Sequence, residues 1–105
     1  MTIISRRILK PTSGKSKIAL ERATKYRDIM VSNGIKARLG LFVGGELNGS
    51  IQLTAAYANM TDATKSFVEI SKNREIIDLM NKRDDDPSGH LIGPEVYRNI
   101  YGQPS

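Results

Sequence analysis

Residues 35 to 57, IKARLGLFVGGELNGSIQLTAAY, constrain the fold of this chain more than any other stretch. Ile35, Ala37, Leu39, Leu41 and Val43 fall on one face of an alternating run, with Lys36, Arg38, Gly40 and Phe42 on the other. Ile51, Leu53, Ala55 and Tyr57 repeat the pattern against Gln52, Thr54 and Ala56. A two-residue period marks a strand. Asn48-Gly49 lies between the two runs, and Asn-Gly is the strongest short signal for a type I′ hairpin turn. The second face is small or apolar at Gly40, Phe42, Thr54 and Ala56, so something is expected to cover it.

Elements of other kinds flank the hairpin. TIISRRIL, residues 2 to 9, reads as a first strand ending at Lys10-Pro11, where proline removes a ladder donor. From about Lys15 to Ser32 the period changes, and Ala19, Ala23, Tyr26 and Met30 share one helix face. Asn33-Gly34 stops that helix. A second helical stripe runs through Ala63, Phe67, Ile70, Ile77 and Met80, with Thr61 or Asp62 as its cap. Arg74 falls where an apolar residue would continue the stripe, which predicts a break near Lys72-Asn73. Residues 82 to 89, KRDDDPSG, read as a charged loop. Residues 90 to 101, HLIGPEVYRNIY, read as a last strand interrupted by Gly93-Pro94, followed by a frayed tail at 102 to 105. The order β-α-β-β-α-β predicts an α+β, ferredoxin-like sandwich: a four-stranded antiparallel sheet with its helices on one face. At this length one domain, residues 1 to 105, is expected.

Composition removes several classes of function. There is no cysteine, which excludes disulfides, thiolate catalysis and cysteine-held metals. No apolar run approaches the roughly 20 residues of a membrane span. The start, MTIISRRILKP, lacks the apolar core of a signal peptide, so a cytoplasmic protein with no membrane partner is expected. Residues 1 to 38 carry ten Lys or Arg against two acids, and the rest six against nine. The basic half suggests an anionic partner such as nucleic acid. A stacking platform would need several aromatics among those cations, and Tyr26 is the single one in residues 1 to 38, so a solvated surface is the better reading. Asp84-Asp85-Asp86 lacks the ligand spacing of a calcium loop, and no metal site is expected.

The element order, the interrupted second helix and the ending GPEVYRNIYG together resemble the dimeric α/β-barrel superfamily. That group includes antibiotic-biosynthesis monooxygenases and NIPSNAP-like proteins. KPTSGK resembles its strand-to-helix entry, and SKNREIIDLM its second-helix segment. The similarity runs from about Thr2 to Gly102 and is greatest to an uncharacterised bacterial branch. It implies a homodimer whose sheets face each other, with a small organic molecule held in each subunit between sheet and helices. The haem-degrading branch relies on tryptophan, asparagine and histidine, and the cofactor-free quinone-forming oxygenases on tryptophan with asparagine and tyrosine. This chain has no tryptophan, so neither site is carried over. A cofactor-independent, oxygenase-like activity stays an implication of the family with no residue assigned to it.

Four residues are candidates to line such a pocket: Tyr26, Tyr57, His90 and Tyr97. Tyr26 and Tyr57 lie on a helix face and a strand face expected to point at each other. His90, the sole histidine, is the weak candidate for a catalytic base, placed where a loop before the last strand can reach a pocket mouth. Tyr97 offers an apolar ring with a hydroxyl handle. No cofactor is expected. No nucleophile elbow or phosphate-binding loop is present. The alternatives to a small-molecule protein are a structural or regulatory dimer whose pocket is filled by Met30, Phe67 and the tyrosines, and a nucleic-acid-binding module.

Overall fold

A computed structural model describes residues 2 to 98 and residue 100. The elements are β1 (Ile3–Pro11), α1 (Ser16–Ser32), β2 (Lys36–Leu41), β3 (Ile51–Tyr57), α2 (Met60–Ser71), α3 (Arg74–Asp85) and β4 (Gly89–Arg98). The strands form one sheet in the order β2-β3-β1-β4. Every neighbouring pair is antiparallel. This is the ferredoxin-like arrangement expected from the sequence.

The alternation in β2 and β3 sets the two sheet faces. Ala37 pairs with Ala55 and Leu39 with Leu53, and Ala55 pairs with Ser5 of β1. Directly opposed residues share a face, so Ile3, Ala37, Ala55 and Tyr57 meet the helices. There they join Ile29, Met30, Ala63, Ile70, Ile76 and Leu79 in the buried core. The other face carries Ile4, Arg6, Ile8, Lys36, Arg38, Gln52, Thr54 and Ala56.

Three local expectations are corrected. The hairpin loop does not turn as type I′, because among the described residues none other than glycine has positive φ, Asn48 included. Gly49 has φ +86°, and Ser50 N–H donates to Leu47 C=O, which is a type II pattern with Asn48 at its first corner. A loop this long ends β2 at Leu41, and Val43 is left 86% exposed. The caps also differ. Asn59, not Thr61 or Asp62, caps α2 by accepting from Asp62 N–H at 2.8 Å. Finally, the charged run is helical through Asp85, where Lys82 and Arg83 in the last turn oppose the helix dipole's negative end favourably.

The break in the second helical stripe is present. Asn73 separates α2 from α3 and caps α3, its side chain accepting from Glu75 N–H and Ile76 N–H. The interruption at Gly93-Pro94 takes the form of a β-bulge. Ile92 pairs with Ile8 and Glu95 with Arg6, so two residues of β4 oppose Arg7 alone. Gly93 has φ +96°, and a Cβ there would lie 2.8 Å from the Arg6 carbonyl oxygen, so only glycine fits. The frayed tail expected at 102 to 105 lies outside the described residues. No helix among them is long and apolar enough to cross a membrane.

Candidate ligand-binding site

β1 supplies the polar floor of the site. Its alternation places Ser5 and Arg7 on the helix-facing side with Ile3 and Leu9. A serine and an arginine thus interrupt an otherwise apolar stripe. Above them lies a cavity of about 370 Å³ between the sheet and the helices. Its apolar walls include Met30 from α1, Leu53 from β3, Phe67 and Ile70 from α2, and Ile76 and Met80 from α3. Tyr26 and Tyr57 also line it. The Asn73 cap fixes the α2–α3 corner, and Ser71, Ile77 and Asn81 from either side of that corner complete the wall.

A hydrogen-bonded pair borders this space. Arg7 Nη1 donates to the Tyr26 hydroxyl at 2.7 Å, and the guanidinium carbon lies 5.4 Å from the centre of the Tyr26 ring. The pair joins β1 to α1. A second cavity, of about 130 Å³, abuts the first on its other side. Arg7, Tyr26, Leu53 and Met80 line both, so the Arg7–Tyr26 pair stands at the partition. The second cavity extends toward Leu9, Arg22, Leu79, Arg83 and Leu91.

Tyr57 is 7% exposed, and its ring meets Phe67 edge-on at 5.5 Å between centroids. Its hydroxyl is shut off from solvent and has no hydrogen-bond partner among the described residues. The Ser5 hydroxyl lies beside it without reaching hydrogen-bond geometry. Burial pushes the Tyr57 phenol above its ordinary range, and nearby Ser5 and Arg7 offset part of that rise.

The four residues singled out from sequence do not come together. Tyr26 and Tyr57 share the cavity. His90 pairs with Lys10 and Tyr97 with Ile4, and both of those β1 residues belong to the sheet face away from the helices. His90 is exposed, and Tyr97 is 49% exposed. Neither lines the cavity. The residue that sequence reasoning missed is Arg7. Its signal was a cation at a helix-facing position of β1, obscured because Ser5-Arg6-Arg7 presents three polar residues in a row.

No family model matches this chain, and no curated protein does. Solved structures do. An uncharacterised NIPSNAP domain protein from Burkholderia xenovorans superposes with a TM-score of 0.77 at 13% identity, covering 98% of this chain and 99% of that one. A NIPSNAP family protein from Agrobacterium tumefaciens gives 0.69 at 10% identity, over 95% and 94%. A Deinococcus radiodurans protein provisionally named an antibiotic biosynthesis monooxygenase gives 0.72 at 8% identity, over 98% and 97%. The chain therefore has the ferredoxin-like fold of NIPSNAP-like and antibiotic-biosynthesis-monooxygenase-like proteins. At these identities the likeness is one of fold.

Proposed function

We propose that this protein binds a small organic molecule between its sheet and its helices, and does so as a homodimer whose open sheet faces meet. The cavity of about 370 Å³ carries the first part. It falls within the range of about 300–1,000 Å³ usual for small-ligand sites, and it combines apolar walls with a few convergent polar groups. Met30, Phe67, Tyr26 and Tyr57, which a purely structural dimer would use to fill that space, instead surround it.

Binding is favoured over a reaction by the lining itself. Among the described residues the cavity wall holds no histidine, aspartate or glutamate. A proton-abstracting step would lack a base within hydrogen-bond reach. The dimer is supported by the open face, where Tyr97 is half exposed and Ala56 and Thr54 are only partly covered. An RNA-stacking platform is disfavoured by the same face. The central strands offer it Ile4, Arg6 and Ile8 from β1 and Gln52, Thr54 and Ala56 from β3, with no aromatic between them.

Ile77 gives a direct test. It sits at the cavity wall and is 40% exposed, so a larger ring can be placed there without entering the core. Ligand-observed NMR against a library of small aromatic and aliphatic compounds should find binders. Ile77→Trp should weaken them by about tenfold or more while the protein stays folded. Binding that is indifferent to Ile77→Trp would place the ligands elsewhere.

A further inference from the structure

We infer that the occupant of this cavity is an organic anion: an apolar body bearing one carboxylate or phenolate, with its charge against Arg7. The inference rests on the pocket reading above and narrows it to a chemical class.

The two adjacent arginines of β1 are treated differently by the fold. Arg6, on the open face, is bound to Glu95, its Nη2 lying 2.6 Å from Oε1. Arg7 faces the cavity and forms no ion pair among the described residues. Its one side-chain hydrogen bond goes to a neutral phenol. A guanidinium has five N–H donors, so most of Arg7's capacity is unspent. A cation held half-buried without a counter-charge is costly, and an arriving anion relieves that cost.

The polar groups around Arg7 reinforce the same preference. Tyr26 accepts from Arg7, which leaves its own O–H hydrogen available to donate. Tyr57 carries a buried hydroxyl with no partner among the described residues, and it stands among Ser5, Arg7 and Tyr26. Neither cavity is lined by any acid among the described residues, whereas Arg7, Arg22 and Arg83 all border the smaller one. Arg22 is already engaged with Asp86, so Arg7 is the cation placed to meet a ligand in the larger cavity. Guanidinium and carboxylate match as a planar, bidentate pair, which turns this arrangement into selectivity for charge.

Two matched pairs of probes separate charge from shape: 2-naphthoate with 2-naphthalenemethanol, and octanoate with octan-1-ol, titrated calorimetrically at neutral pH. The wild-type protein should bind each acid about tenfold or more tightly than its alcohol. Arg7→Gln should reduce that ratio to about twofold or less, weakening the acids far more than the alcohols. Arg7→Lys, which keeps the charge but not the fork, should retain part of it. Equal binding of acid and alcohol by the wild type would overturn the anion inference and leave the pocket standing. Failure of all four probes to bind at millimolar concentration would overturn both. If Arg7→Gln does not fold, the wild-type ratio and Arg7→Lys decide the matter.

Discussion

Tyr57 carries a buried hydroxyl without a hydrogen-bond partner among the described residues, a condition that costs about 1–3 kcal/mol in a folded protein. Tyr57→Phe should therefore raise the stability of the unliganded protein by about 1 kcal/mol in urea unfolding. A loss of similar size would reveal a partner for the hydroxyl. The same residue predicts a pH effect. Its folded-state pKa lies above the unfolded value, so its contribution is intact below the ordinary tyrosine range near 10. As pH rises from there through the folded value, the unfolded chain ionises first and stability declines. Tyr57→Phe should show a shallower alkaline decline than the wild type. Arg7 shows why part of the site escaped a reading of residues alone. Period-two alternation assigns it to the helix-facing side, but a charged residue beside Arg6 looks like one more surface cation. His90 and Tyr97 show the converse: their chemistry is suited to a pocket, and pairing with Lys10 and Ile4 puts them on the sheet face away from this cavity.

Elements were more legible than side-chain positions. The alternation of residues 35 to 57 identified β2 and β3 and assigned their helix-facing residues, because a face that must be buried fixes the register. The stripe broken at Arg74 located the α2–α3 corner. Less visible was how each element ends. Asn59 and Asn73 are the caps, and neither precedes an apolar run in a way that separates it from its polar neighbours. The acidic run of α3 resembled a loop because helix formation there depends on the turns before it. Asn73 allows a quantitative check. Its side chain accepts from two backbone N–H groups at 2.9 and 3.2 Å. Asn73→Ala should cost about 1 kcal/mol of stability, typical of a lost N-cap. Since the cap holds the corner that walls the cavity, affinity for the proposed ligand should fall with it. Unchanged thermal unfolding would mean that the corner is held by packing alone.

For the whole molecule, what matters is the sheet face turned away from the helices. Its rows run Lys36–Ala56–Ile4–Tyr97 and Arg38–Thr54–Arg6–Glu95 across all four strands. The proposed dimer buries this face, and Ala56 lies on a central strand of it. Light scattering at micromolar concentration should give a dimer mass for the wild type and a smaller mass for Ala56→Arg, which sets a long cation against the partner's sheet. A monomeric wild type under those conditions would remove the sheet-to-sheet assembly. The fold as a whole was readable because the β-α-β-β-α-β order and the burial pattern agree. The cavity was not, because its volume depends on how far α1, α2 and α3 stand off the sheet, and no residue type encodes that distance.

For the proposed ligand, the bond between Arg7 and Tyr26 has a consequence of length. It stands where the larger cavity meets the smaller one, so it works as a gauge. A molecule short enough to stop at Arg7 leaves the bond intact. A longer one must displace Tyr26 from the guanidinium before it can continue toward Leu9 and Leu91. With the carboxylate held at Arg7 the tail fills the larger cavity, so across a series of straight-chain carboxylates affinity should climb with each added methylene and then drop once the tail outgrows that cavity and forces the head through this bond. A smooth rise through the whole series would show that the partition gives way freely.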